Sequence, residues 1–116
     1  MGGVDLWPGR LVWIDDGGAV GREQPGRRPW LIVSSVEFLR RTDDLLTAVP
    51  CTSRDRGWAN HVELTGPTGL HTPTFAITEQ IRTVSRQRII GVAGTADAPS
   101  LREAMRWVVA WLHSAA

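Results

Sequence analysis

Six short apolar or β-branched segments follow one another through the first four fifths of the chain, each closed off by a run of turn-forming residues. They are Arg10–Asp15 (RLVWID), Trp30–Ser35 (WLIVSS), Leu45–Cys51 (LLTAVPC), His61–Leu64 (HVEL), Thr74–Ile81 and Arg88–Val92. Between them lie DDGGAVGREQPG, SRDRGWAN and TGPTGLHTP, rich in the glycine, proline, aspartate and asparagine that turns require. So many short strands in so few residues predict a small barrel or sandwich. The βαβ alternation of a dinucleotide-binding fold is absent.

The pattern changes at Ser100. The tetrapeptide SLRE has the form of a capping box, with Ser100 as N-cap and Glu103 reaching back to the cap amide, which predicts that a helix starts there. Leu101, Ala104, Met105, Val108, Trp111 and Leu112 then recur at the three- and four-residue spacing of one helical face, flanked by Trp107 and Val109. That face is expected to pack on the sheet. No internal repeat and no linker interrupts the 116 residues, and ADAP before the cap reads as a short connection. The expected organisation is a single domain over 1–116, mainly β with a C-terminal helix.

Charge and cysteine usage narrow the functional classes. Thirteen basic residues, all arginine, stand against 12 acidic ones, a net charge of +1 that gives no field for gripping duplex DNA, so any nucleic-acid contact must be local. The exclusive use of arginine fits either bidentate phosphate recognition or GC-rich codon bias. A lone cysteine, Cys51, cannot form an internal disulfide, and no Cys/His cluster has zinc spacing, so a reducing cytoplasm without structural metal is expected. Neither a signal-like N-terminus nor an apolar run long enough for a bilayer is present, which points away from secretion and membranes.

The loop from about Asp16 to Arg27 carries four glycines, ends on a double arginine and is longer than a hairpin normally needs, as functional loops often are. Four motifs then stand in order: a first strand ending in Trp13 and Asp15, G-x-E-Q-x-G-x-R-P before an apolar strand, V-P-C-T followed by a Gly-aromatic turn at Gly57-Trp58, and E-Q-I-R-T from Glu79 to Thr83. In this combination the chain resembles the MazF/PemK family of toxins from prokaryotic toxin–antitoxin systems, small dimeric barrels that cut single-stranded RNA at short sequences. The resemblance runs from Gly9 to about Gly91, with the terminal helix in the expected place.

The resemblance implies a small SH3-like barrel, a homodimer, a cognate antitoxin protein as partner, single-stranded RNA (mRNA, or rRNA or tRNA) as substrate and no cofactor. It places the family's catalytic pair, an Arg before Pro and a Thr after Pro-Cys, on Arg28 and Thr52. The implied products are a 2′,3′-cyclic phosphate and a 5′-hydroxyl, formed without metal. The chemistry suits these residue types. When a ribose 2′-hydroxyl attacks the adjacent phosphorus, negative charge gathers on the non-bridging oxygens, where a guanidinium and a hydroxyl donor stabilise it.

An arginine does not serve as base, so the 2′ proton needs another acceptor. Glu23, Glu79 and His61 are titratable groups in or beside the motifs, and Glu79 is preferred among them. The PemK branch pairs its acidic residue with an Arg two positions earlier; here that position is Ile77, so the branch's full set is not reproduced. Gln80 matches a family Gln that contacts RNA. Glu23, Gln24, Arg54, Trp58 and Arg82 complete the expected RNA-binding set, with Trp58, close after Arg54 and Arg56, as a stacking platform.

Other readings of the same residues are structural. Thr52 can close a turn, Glu23 and Gln24 can shape the loop or meet the antitoxin, and His61 at a strand start is expected on the surface. Trp13 and Trp30 are candidates for base stacking, while Trp107 and Trp111 belong to the helix core. Cys51 is expected as a small buried hydrophobe. The competing functional class is a non-catalytic barrel toxin, or a decoy, that acts by binding protein.

Overall fold

The computed structural model describes residues 5–15 and 28–113. Seven strands, β1 (Arg10–Ile14), β2 (Arg28–Ile32), β3 (Leu45–Thr52), β4 (His61–Glu63), β5 (Phe75–Ile77), β6 (Arg82–Ser85) and β7 (Ile89–Thr95), are joined by two helices, α1 (Val36–Arg41) and α2 (Ala98–Leu112). The antiparallel path runs β4-β5-β3-β2-β1-β7, and β6 pairs with β3 beyond the end of β5. Among the described residues the path is not closed between β4 and β7, so the sheet is a strongly curved, open version of the expected barrel.

Side-chain alternation gives the sheet two apolar faces. Leu11, Leu31, Val33, Val49 and Cys51 point to one side, where they meet Ala104 and Val108 of α2; Val12, Trp30, Ile32, Leu46 and Ala48 point to the other, against Leu39 of α1. Two register shifts between β1 and β7 bend the sheet around the first of these clusters.

Local chemistry moves several predicted boundaries. The Thr74–Ile81 segment is not one strand: Gln80 N–H bonds back to Ile77 O at 3.0 Å, and the chain turns there before β6. The Trp30–Ser35 segment ends early because Ser35 caps α1, its Oγ accepting from Phe38 N–H at 3.0 Å while Glu37 pairs with Arg41 one turn on. The cap of α2 is Asp97, not Ser100. Asp97 Oδ1 accepts both Ser100 N–H (3.0 Å) and Ser100 Oγ–H (2.8 Å), and Pro99 fits the first turn, where no intrahelical donor is needed. Glu103 therefore has no cap amide to reach, and pairs with Arg106 at 2.8 Å. The predicted apolar face holds for three turns; Trp111 and Leu112 then leave the core and are exposed.

Asp97 also accepts from Thr65 Oγ1 at 2.7 Å, tying α2 to the end of β4. These donors, the Ser100 amide first, hold its carboxyl below the ordinary carboxylate range. A group depressed on folding stabilises above its unfolded pKa and loses that contribution as pH falls through the folded one. Asp97→Ala should therefore lower Tm at pH 6, and the gap from wild type should close as pH drops below about 4. A gap that stays constant down to pH 2 would show that the carboxylate charge is not what the cap uses.

Among the described residues no helix is long and apolar enough to cross a membrane, and no grouping of three or more His, Cys, Asp or Glu side chains could hold a metal ion.

Candidate active site

β2 and β3 are adjacent, with Trp30 opposite Pro50 and Leu31 opposite Val49. Beyond Trp30 and Pro50 the two strands take their pairs from β1 and β5. Arg28 opens β2 with Ile14 of β1 as its neighbour, and Thr52 closes β3 with Phe75 of β5 beside it. Two segments more than twenty residues apart thus deliver a guanidinium and a hydroxyl to one end of the sheet. Both line a cleft of about 570 Å³.

Within this cleft Thr52 closes a turn and still presents its hydroxyl. Its Oγ1 accepts from Arg54 N–H at 3.1 Å, which fixes the start of the 53–60 loop, and its own O–H has no acceptor among the described residues. A hydroxyl held by an accepted hydrogen bond and still able to donate is suited to a phosphoryl oxygen. Cys51, also in the lining, is buried, and burial pushes its thiol up to about 12, against smaller opposing effects from the Leu31 backbone and the Arg28 charge. It stays a neutral hydrophobe at physiological pH and offers no nucleophile.

The far wall of the cleft is a segment that sequence reasoning passed over. Gly69, Leu70, His71, Thr72 and Thr74, from the loop between β4 and β5, line the same cleft as Arg28 and Thr52. No strand, helix or motif period marks His71, and only its presence in a turn-rich stretch without another titratable group sets it apart.

The remaining candidates form a second, separate cluster. Glu79 is not among the residues lining the cleft; its Oε1 accepts from Asn60 Nδ2 at 2.7 Å, and its Oε2 lies 3.3 Å from His61 Nε2. His61, expected on the surface, is buried, because β4 pairs with β5 and sets His61 opposite Ile77. Its ring packs against Trp58 with centroids 4.8 Å apart, and Arg56 lies 5.3 Å from the Trp58 ring, so Trp58 is held yet half exposed. Thr78 extends the cluster, donating to Asn60 O at 2.7 Å and accepting from Trp111 Nε1–H at 3.1 Å.

Trp30 is buried, with the Arg82 guanidinium 5.9 Å from its ring centroid, and cannot stack on a base as the sequence allowed. Arg54, Gln80 and Arg82 are exposed, and Trp13 lines the cleft. Glu23, Gln24 and the Asp16–Arg27 loop lie outside the described residues.

Residues 8–112 match the family described as PemK-like, MazF-like toxin of type II toxin-antitoxin system. The chain belongs to this family. An endoribonuclease toxin MazF from Escherichia coli K12 is 30% identical over 77 residues, a match spanning 66% of each chain and so just under two thirds of the relative's length. The crystal structure of MazF from Deinococcus radiodurans superposes with a TM-score of 0.74 at 30% identity, covering 92% of this chain and 96% of that one. A MazE-MazF structure from the same organism gives a TM-score of 0.73 at 26% identity, over 95% and 97% of the two chains. In this PemK/MazF-like toxin, Arg28 and Thr52 therefore stand within the matched region, on neighbouring strands and in one cleft.

Proposed function

We propose that the protein is the toxin of a type II toxin–antitoxin pair and that it cuts single-stranded RNA at short sequences, without metal, by attack of a ribose 2′-hydroxyl on the adjacent phosphorus. The observation that carries this reading is that Arg28 and Thr52, from neighbouring strands, line one cleft. The guanidinium neutralises charge developing on the non-bridging oxygens, and the Thr52 hydroxyl donates to one of them. The named activity of the Escherichia coli relative supports the same reaction class. Products are a 2′,3′-cyclic phosphate and a 5′-hydroxyl. Arg54, Trp58, Gln80 and Arg82, with Glu23 and Gln24, supply the contacts along the strand that choose the sequence, Trp58 by stacking on a base.

Incubation with a long structured RNA, followed by mapping of the new 5′ ends, tests this reading. Discrete cuts at a recurring word, unaffected by EDTA and abolished by a single 2′-deoxy substitution at the scissile nucleotide, are expected. An untouched RNA would favour the non-catalytic, protein-binding class. Loss of activity in EDTA would remove the metal-free mechanism.

The protein works as a homodimer and is neutralised by an antitoxin, in keeping with the MazE-MazF complex to which its fold is similar. A cleft bearing Arg28 for a polyanion, with Arg54 and Trp58 on the loop that leaves it after Thr52, also accepts acidic and apolar side chains from a segment that orders on binding. Inhibition should be competitive, and Trp58→Ala should weaken RNA and antitoxin together. Saturating antitoxin that leaves RNA affinity unchanged would rule out a shared groove.

A further inference from the structure

The loop that leaves the cleft after Thr52 carries Trp58, which belongs to neither apolar cluster of the sheet and is half exposed. An indole on such a loop is ordinarily free to change rotamer, yet this one is held from behind. Trp58 O accepts from His61 N–H at 3.0 Å, closing a turn that leads into β4. The same turn brings the two rings together, with centroids 4.8 Å apart and planes tilted by 56°, within the range of attractive aromatic pairs. The side chain of His61 is only 3% exposed, so a ligand on the surface meets Trp58 and not the imidazole.

Polar bonds fix the imidazole in its turn. His61 Nε2 lies 3.3 Å from Glu79 Oε2, and since an ionised carboxylate only accepts, Nε2 is the donor. The other carboxylate oxygen, Oε1, accepts from Asn60 Nδ2 at 2.7 Å, so Glu79 grips the last residue of the turn and the first of β4 together. Asn60 O accepts from Thr78 Oγ1 at 2.7 Å, and the buried Thr78 hydroxyl accepts from Trp111 Nε1–H at 3.1 Å. A chain of hydrogen bonds thus runs from α2 to the turn that bears Trp58. At the front of the loop, Arg54 N–H bonds to Thr52 Oγ1 at 3.1 Å and Gly57 N–H to Asp55 Oδ1 at 2.8 Å. A base stacks more tightly on an indole held in place beforehand, because the cost of ordering that side chain is not met on binding.

Resting on the nuclease reading above, we propose that His61 is a positioning residue for RNA: gripped by Glu79, it sets the Trp58 indole in the orientation on which a base stacks, while Asn60, Thr78 and Trp111 fix the turn beneath. It acts on affinity through Trp58 and takes no part in the chemistry at Arg28 and Thr52.

The test is made on the mapped RNA word, blocked by a 2′-deoxy nucleotide at the scissile position, with each base removed in turn. Kd is measured for wild type, Trp58→Ala, His61→Ala, His61→Phe and the double variant, beside kcat and KM on the cleavable RNA and Tm. One abasic position should weaken wild type and leave Trp58→Ala unaffected, which marks the stacked base. Trp58→Ala should weaken binding of the intact word about 5–100-fold. His61→Ala should weaken it about 3–10-fold, as a rise in KM with kcat unchanged, and should shrink the abasic penalty at that same position. In the Trp58→Ala background His61→Ala should cost nothing further. His61→Phe keeps a ring against the indole but loses the Glu79 bond, so it should fall between wild type and His61→Ala; it also fills the buried site, and decides the matter if His61→Ala does not fold.

An undiminished abasic penalty at that position in the folded His61 variants, an equal loss with and without Trp58, or a fall in kcat at unchanged Kd would overturn the proposal and leave the nuclease reading standing. So would the lack of any position whose penalty depends on Trp58. A wild-type protein that cuts no RNA would overturn both.

Discussion

Arg28→Ala and Thr52→Ala should each abolish RNA cleavage in an ordinary assay while the variant stays folded. Removal of one preorganised donor to a developing oxyanion costs about 10²–10³-fold, and each substitution removes one of the two donors proposed for that role. Thr52→Ser should retain most of the activity, since it keeps the hydroxyl that accepts from Arg54 N–H and donates outward. Arg28→Lys should fall between, because an ammonium supplies charge without the planar fork that engages two oxygens. The double variant should be scarcely worse than either single one, as groups acting on the same transition state are not additive. Thermal unfolding run beside the cleavage assay separates chemistry from folding. Either alanine variant cutting at the wild-type rate would end the assignment.

The largest expected effects on stability lie at two glycines where the β4–β5 loop meets β7. A Cβ on Gly94 would sit 2.4 Å from both Pro67 O and Thr68 O. One on Gly69, whose φ is +74°, would sit 2.0 Å from Ala93 O. The obstructing atoms are backbone carbonyls, which no side-chain rotation can move, so the two segments must separate. Gly94→Ala should cost about 3 kcal/mol or more, a large part of the 5–15 kcal/mol that holds a typical domain, and lower Tm by more than about 10 °C. Gly69→Ala should do the same and also displace the wall of the cleft, so that cleavage per folded molecule falls as well. A Tm unchanged within error in Gly94→Ala would show that the loop does not rest on β7 as described.

Both sets of effects depend on pairings that sequence reasoning reached unequally. The R-P and P-C-T motifs could be matched to a family, and the pairing of β2 with β3 as neighbours left Arg28 and Thr52 in one cleft. His61 and Glu79 were each legible as titratable groups, but not as each other's partner. They lie 18 residues apart, and only the pairing of β4 with β5 brings them together. Trp30 and Trp58 were both offered by the sequence for base stacking, yet one is covered by the sheet and Arg82 and the other stands half exposed on a loop. Asp97 and Ser100 both satisfy the local rule for an N-cap; Thr65, from the other side of the fold, favours Asp97.

By itself, then, the sequence determined the class of fold and the residue chemistry: alternating apolar segments too short for anything but strands, one amphipathic helix, and four motifs in family order. These are properties of period and spacing, which local backbone geometry enforces wherever the segment lies. Only the tertiary structure decided which titratable groups pair with one another and which line the cleft. The cleft is made of β2, β3 and the β4–β5 loop, brought together by the curvature of the sheet and the contact of that loop with β7. His71 enters it for that reason, and no pattern in the residues around His71 encodes a wall set by pairings tens of residues away.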